Sequence, residues 1–147
     1  AVPARTRQKQ YNTPLRLIHL FTTMKYLLFI ALGGACGAVS RYLLSSWAHA
    51  LWEGKWPVGT LLVNMLGSFL IGVVFVLIEK QVVHPDWRSI LMVGFLGAFT
   101  TFSTFSLETI ALLEEGHVVH AIGYMITSAL ACVLMAGLSI YLTRALV

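Results

Sequence analysis

The chain has 147 residues, of which 58% are hydrophobic and 11% charged, with a formal net charge of +4. A soluble domain carries about 25% charged residues, and a chain with a mean hydropathy of +0.81 would precipitate from water, so composition excludes a soluble globular domain and points to an integral membrane protein. The charge also argues against nucleic-acid binding: Arg5, Arg7, Lys9 and Arg16 precede Met24 with no acidic residue among them, whereas six Lys/Arg and six Asp/Glu balance from Met24 onward.

In chain order, residues 1–23 read as a basic N-terminal extension, either a targeting peptide or a segment upstream of a chain that begins at "MKYLLF". Residues 24–147 read as one membrane domain. Four stretches reach the roughly 20 apolar residues that a spanning helix needs: Tyr26–Trp47, Val58–Ile78, Ile90–Leu113 and Val118–Leu142. Trp47, Trp52, Trp56 and Trp87 lie at span ends, where interfacial aromatics belong. Pro57 and Pro85 sit ahead of the second and third spans and suit helix starts.

The first span carries Arg41 in "GGACGAVSRY". An intramembrane Arg is either functional or snorkels to the interface from the last helical turns. Gly33 and Gly37 form a GxxxG pair that permits close packing, as do Ser68 and Gly72 in the second span. The second span also holds Asn64, in "GTLLVNMLGSFLIG". Its amide needs a partner in lipid, in a helix–helix hydrogen bond or on a polar path.

The third span differs in kind. "GFLGAFTTFSTFSLE" brings Thr100, Thr101, Ser103, Thr104 and Ser106 to mid-membrane, with Phe102 and Phe105 among them. Helix propensity is poor from Gly97 to Ser106, which permits a break in the helix. Exposed backbone at such a break is tolerated only beside protein or a water-filled cavity. Phe102 and Phe105, three apart, share a helix face. Glu108 is the only acid within a span. In the fourth span Tyr124 and Ser128, four apart, also share a face. Cys36 and Cys132 read as buried free thiols. All five histidines lie in the leader or near span ends, so no base stands ready for an intramembrane hydrolase, and the chain is not read as an enzyme.

Four spans put both termini on one side. That side holds Lys25, Lys80, Arg88 and Arg144, against Lys55 and, near its helix end, Arg41 on the other, a weak orientation signal.

The ordered trio "GGACGAVSRY", "GTLLVNMLGSFLIG" and "GFLGAFTTFSTFSLE" resembles the Fluc (CrcB) family of fluoride channels over nearly all of Met24–Val147. The resemblance implies an all-α fold with four transmembrane helices per subunit, broken in the third, and an antiparallel dual-topology homodimer in the cell inner membrane. It implies a channel that exports fluoride and so lowers its cytoplasmic concentration, through two pores lined by both subunits. It places Phe102 and Phe105 in the pores, Asn64 on the path and Arg41 near a vestibule. Ser103, Thr104, Tyr124, Ser128 and Glu108 become a polar track beside the rings. It further implies a structural sodium ion at the dimer centre, held by the backbone carbonyls of Gly97 and Thr100.

The physics agrees with these expectations. Fluoride is strongly hydrated, so a pore must replace water with donors; hydroxyls and the Asn64 amide can donate, and a Phe ring presents a positive edge. Three rivals stand against the channel. A four-span drug exporter relies on an acid in the first span, and Tyr26–Trp47 has none. A fluoride/proton antiporter has only Glu108 to carry the proton. A non-conducting scaffold needs no intramembrane Arg, Asn or hydroxyl run.

Overall fold

The computed structural model describes the backbone of residues 4–147 and the side chains from Thr23 onward. The expected extension over residues 1–23 therefore lies, for residues 1–3 and for the side chains up to residue 22, outside the described residues.

All regular structure among the described residues is helical. The order is α1 (Ala4–Ala50), α2 (Val58–Glu79), a π-helical segment (Arg88–Leu96) that runs into α3 (Gly97–Phe99), then α4 (Phe102–Glu114) and α5 (Val118–Leu146). Four stretches are long and apolar enough to cross a membrane: Thr23–Ala50, Val58–Glu79, Arg88–Glu114 and Val118–Leu146. They contain the four expected spans, each extended at one or both ends. At about 1.5 Å per residue, the 22 residues of α2 cover the hydrocarbon core of a bilayer. Helices satisfy their own backbone groups, which lipid cannot do.

The helices pair through small residues. α1 packs chiefly on the π-helical segment, and α2 chiefly on α5. A Cβ at Gly33 would stand 2.2 Å from the carbonyl oxygen of Ile90, and one at Gly37 would stand 2.2 Å from that of Phe95. The GxxxG pair of α1 therefore lies directly on the backbone of the third span. A Cβ at Gly72 would lie 2.0 Å from Oγ of Ser139, which is fully buried and donates to the Ala136 carbonyl. Such glycines let helices approach until backbone contacts replace side-chain ones.

Polar clips hold the helix ends. On the side where α2 ends and α5 ends, Arg144 makes a forked contact with Glu79, with its closest nitrogen–oxygen distance 2.9 Å. On the same side the loop before the third span returns to α1. Lys25 Nζ and Tyr26 OH each donate to the Asp86 carboxylate at 2.8 Å. These two donors, the Lys25 ammonium first, hold the Asp86 carboxyl below its ordinary pKa. The turn into that loop needs a left-handed residue, Gln81 at φ 57°. At the opposite end, Lys55 meets the His117 ring.

Large apolar side chains cover much of the outer surface, among them Leu28, Tyr42, Phe75, Val133 and Leu134. In water such a surface would aggregate; in a bilayer it faces a matching solvent.

Candidate functional site

The site begins where α3 stops. Thr100 has ψ 156° and Thr101 has φ −149° and ψ 120°, so both are extended, a region β-branched threonine accepts readily. In a continuous helix the Thr101 N–H would reach the Gly97 carbonyl, and the Thr104 N–H would reach that of Thr100. Here the Thr101 N–H donates to Oδ1 of Asn64 at 2.8 Å. The Thr104 N–H donates to Oγ1 of Thr101 at 3.1 Å, which makes Thr101 the N-cap of α4. Asn64 also donates from Nδ2 to the Thr101 carbonyl at 3.0 Å. One side chain on α2 thus takes the Thr101 N–H out of the helical ladder and adds a donor to the Thr101 carbonyl, which as N-cap also opens the ladder of α4, while the Gly97 and Thr100 carbonyls lose their helical donors.

Gly67, one turn along α2, makes room for the junction. A Cβ there would stand 2.2 Å from Cγ2 of Thr100. Thr100 Oγ1 donates back to the Leu96 carbonyl at 2.9 Å, so its hydroxyl seals the last turn of the preceding helix. Thr104 and Ser103 crowd the Thr101 hydroxyl, at 3.0 and 3.3 Å.

Beyond the junction three rings form a row. Phe102 and Phe105 have centroids 5.4 Å apart with planes inclined 44°; Phe105 and Tyr124 are 5.1 Å apart at 47°. Tilted rings turn their positive edges toward their neighbours. Phe102 is 79% exposed although it lies at mid-membrane. Tyr124 is fully buried and donates to Oε2 of Glu108 at 2.8 Å, while Thr60 donates to Oε1 at 2.7 Å. Two hydroxyls therefore hold the Glu108 side chain.

These elements bound an open cavity of about 340 Å³. Its wall includes Asn64, Thr101, Phe102, Phe105, Ser128 and Cys132, with Gly97 and Thr100 at the junction; Ile71, Leu96 and Ala129 make much of the remainder apolar. The Ser128 hydroxyl is buried beneath the wall, beside the Tyr124 hydroxyl. The arrangement suits a small anion: ring edges and one remaining amide N–H of Asn64 around a largely apolar space.

Of the residues singled out in the sequence, the cavity brings together Phe102, Phe105, Asn64, Ser128, Gly97 and Thr100. Tyr124 and Glu108 stand one layer behind Phe105. Ser103 and Thr104 serve the Thr101 hydroxyl at the junction. Arg41 lies half-buried on α1 and does not line the cavity. Sequence reasoning missed Thr60 and Gly67, named Thr101 only as one of the hydroxyl run, and read Cys132 only as a buried thiol. Cys132 carried a usable signal, being four residues beyond Ser128 and eight beyond Tyr124. Thr60 carried none, because its partner Glu108 is 48 residues away.

Among the described residues there is no group of three or more His, Cys, Asp or Glu that could hold a metal ion. The hard oxygen donors at the centre of the span are instead the Gly97 and Thr100 carbonyls. Their chemistry suits an alkali cation, which backbone carbonyls can coordinate in place of water.

Comparisons with known proteins agree in kind. Residues 28–140 match the family model described as "CrcB-like protein, Camphor Resistance (CrcB)". The chain is 47% identical over 123 residues to a protein of Hahella chejuensis named fluoride-specific ion channel FluC, which covers 83% of this chain and 97% of that one. It is 48% identical over 128 residues to the protein of that name from Saccharophagus degradans, covering 86% of this chain and 95% of the relative. With the Magnetococcus marinus protein of that name it shares 48% identity over 118 residues, or 79% and 95% of the two chains. All three names denote channels and none denotes an enzyme. With four apolar spans and a family match across most of its length, the chain belongs to the CrcB family of membrane proteins.

Proposed function

We propose that this chain is a fluoride-selective ion channel that exports fluoride across the inner membrane and so lowers its cytoplasmic concentration. The observation that carries the reading is the cavity at the α3–α4 junction, where Phe102, Phe105, Asn64 and Ser128 meet at mid-membrane, in a chain whose relatives are named fluoride-specific channels. Fluoride entering this space sheds water and meets the remaining Asn64 N–H. The edges of Phe102 and Phe105 attract it weakly. Conduction needs contacts strong enough to admit the ion and weak enough to release it, and ring edges supply attraction without a fixed positive charge.

The working unit in this reading is an antiparallel, dual-topology homodimer. The exposure of Phe102 supports it: a ring lying open on one subunit can be covered by, and can line a path with, a second copy. Arg41 then guards a vestibule, and Ser103, Thr104, Tyr124 and Glu108 support the ring row from behind.

A sodium ion fits the Gly97 and Thr100 carbonyls, doubled by the two-fold axis. It would supply a fixed positive centre that ties the two junctions together. This chain's own part is to hold those carbonyls out of the helical ladder, through Asn64 and the Thr101 hydroxyl.

The test is anion efflux from proteoliposomes, with fluoride and chloride compared, with and without a proton gradient. Rapid fluoride efflux, little chloride efflux and indifference to the proton gradient are expected. Efflux that requires the gradient would instead favour a fluoride/proton antiporter working through Glu108. Absence of efflux would leave a scaffold.

A further inference from the structure

A second cavity, of about 300 Å³, lies away from the junction, where the loop before the third span meets α1. Lys25 and Phe29 line it from α1, and His84, Asp86, Trp87 and Ile90 line it from the loop and the start of the π-helical segment. It sits at the membrane boundary, since the first span begins at Thr23 and the third at Arg88. Its lining is layered. Phe29 follows Lys25 by four residues and Ile90 follows Asp86 by four, so each apolar residue stands about one turn deeper than a polar one; with the interfacial Trp87 they make an apolar floor. Lys25 Nζ lies 5.4 Å from the centre of the Phe29 ring, so the ammonium stands over that floor.

The rim carries both signs. Among the described residues Lys25 spends one of its three N–H bonds, on Oδ2 of Asp86 at 2.8 Å. The Asp86 backbone N–H donates to Nδ1 of His84 at 3.3 Å, so the neutral ring carries its proton on Nε2, the second donor of the rim. Each Asp86 oxygen takes one donor, Lys25 on Oδ2 and Tyr26 on Oδ1, and retains a lone pair for another. We propose that this cavity binds one phospholipid with a primary-ammonium headgroup, a phosphatidylethanolamine. The phosphate accepts from Lys25 and His84, and the headgroup ammonium donates to Asp86. The glycerol lies on Phe29, Trp87 and Ile90, and the acyl chains continue into the bilayer. A rim with a cation and an anion matches a headgroup that carries both. A purely anionic headgroup meets the Asp86 charge, and a choline headgroup has no N–H to give it. The site stands independently of the fluoride reading.

The experiment counts bound lipid by native mass spectrometry on the full chain in nonionic detergent, titrated with dioleoyl lipids that differ only in headgroup. One saturable phosphatidylethanolamine per chain is expected, held about tenfold more tightly than phosphatidylcholine or phosphatidylglycerol, the factor that about 1.4 kcal/mol gives. Asp86→Asn should erase the preference over choline. His84→Ala leaves the Lys25–Asp86–Tyr26 contacts in place and should weaken the ethanolamine and choline lipids by similar factors, since both carry the phosphate. On the unmodified protein, the N,N-dimethylethanolamine lipid keeps one N–H and should bind nearer to the ethanolamine lipid than to the choline one, a comparison that needs no variant to fold. Glycerophosphoethanolamine, which has the headgroup without chains, should not displace the lipid at matched concentration. Equal affinity for ethanolamine and choline lipids overturns the proposal, as does a preference that survives Asp86→Asn. Tighter binding of phosphatidylglycerol would mean that the rim acts as a cation alone, and displacement by glycerophosphoethanolamine would make the occupant a soluble phosphodiester; either result overturns it too.

Discussion

Asn64 and Thr101 are joined by two hydrogen bonds of opposite sense, the Thr101 N–H to Oδ1 at 2.8 Å and Nδ2 to the Thr101 carbonyl at 3.0 Å. A side-chain amide here imitates a strand neighbour and holds one residue extended between two helices. Asn64→Asp keeps the acceptor and, when ionised, turns the donor into an oxygen facing a carbonyl. Losing that hydrogen bond costs about 0.5–1.5 kcal/mol. We predict a lower melting temperature in detergent and loss of fluoride efflux, with the dimer still forming. Efflux at the wild-type rate would return Asn64 to a packing role.

Gly67 is the second support of the junction. An added methyl group would overlap Cγ2 of Thr100 at 2.2 Å, whereas one at Gly137 on α5 meets nothing within 4 Å. Overpacking costs about 1–3 kcal/mol, so Gly67→Ala should destabilise the protein by that amount. Gly137→Ala should not, since alanine is the better helix former by roughly 0.5–1 kcal/mol. Thermal unfolding of the two variants side by side decides. Equal melting temperatures would mean that the junction yields freely.

Much of this was legible beforehand, and particular residues show why. The four spans follow from hydropathy alone, because lipid tolerates only long apolar helices there. Asn64, Phe102 and Phe105 stood out because their chemistry is costly or unusual at mid-membrane. The π-helical form of Arg88–Leu96 was not legible. Ile90 to Leu96 is apolar all round, so no polar face reports the helical period. Its carbonyls at Ile90 and Phe95 lie against Gly33 and Gly37 of another span, a contact that no local pattern reports. Thr60 and Glu108 meet for the same non-local reason. Arg41 announced itself by charge, but charge did not say which side of α1 it would occupy.

The Asp86 clip gives a pH dependence. Lys25 and Tyr26 hold the folded-state pKa of Asp86 below its ordinary value. A depressed carboxyl contributes stability that is fully present above the unfolded-state pKa and is lost as pH falls through the folded-state pKa. The contribution should therefore be complete at pH 7 and fade only at acid pH, below the ordinary aspartate range. Asp86→Asn removes it at every pH. The melting-temperature gap between wild type and Asp86→Asn should close on acidification, and a gap that widened would reverse the sign. The clip is solvent-exposed, so high salt should narrow the gap as well.

Sodium is the next test. If the Gly97 and Thr100 carbonyls of two subunits share a cation, prolonged replacement of sodium by N-methylglucamine should loosen the dimer or slow fluoride efflux. The organic cation is too large for a carbonyl cage. Restoring sodium should restore both. Efflux and dimer content that stay constant through exhaustive dialysis would mean that no such ion matters.

Phe102 and Phe105 separate packing from permeation most sharply, because the structure gives them different surroundings. Phe102 is 79% exposed on the subunit, while Phe105 is wedged between Phe102 and Tyr124. Isoleucine keeps much of the bulk and removes the ring edge. At Phe105 it also breaks two ring contacts, each worth about 0.5–1.5 kcal/mol beyond area. Phe105→Ile should therefore lower both melting temperature and fluoride efflux. Phe102→Ile loses one ring contact at an open position, so it should leave the fold of the subunit nearly unchanged and still reduce efflux. That pairing is the informative one, since a residue that matters little to stability and much to flux is acting on the ion. The measurement is efflux per dimer beside gel filtration and thermal melting. A monodisperse Phe102→Ile protein that conducts at the wild-type rate would mean that the ring only covers the subunit surface. If Phe102→Ile aggregates, Phe102→Met restores flexible apolar bulk without an aromatic edge, and the same comparison of flux with stability applies to it.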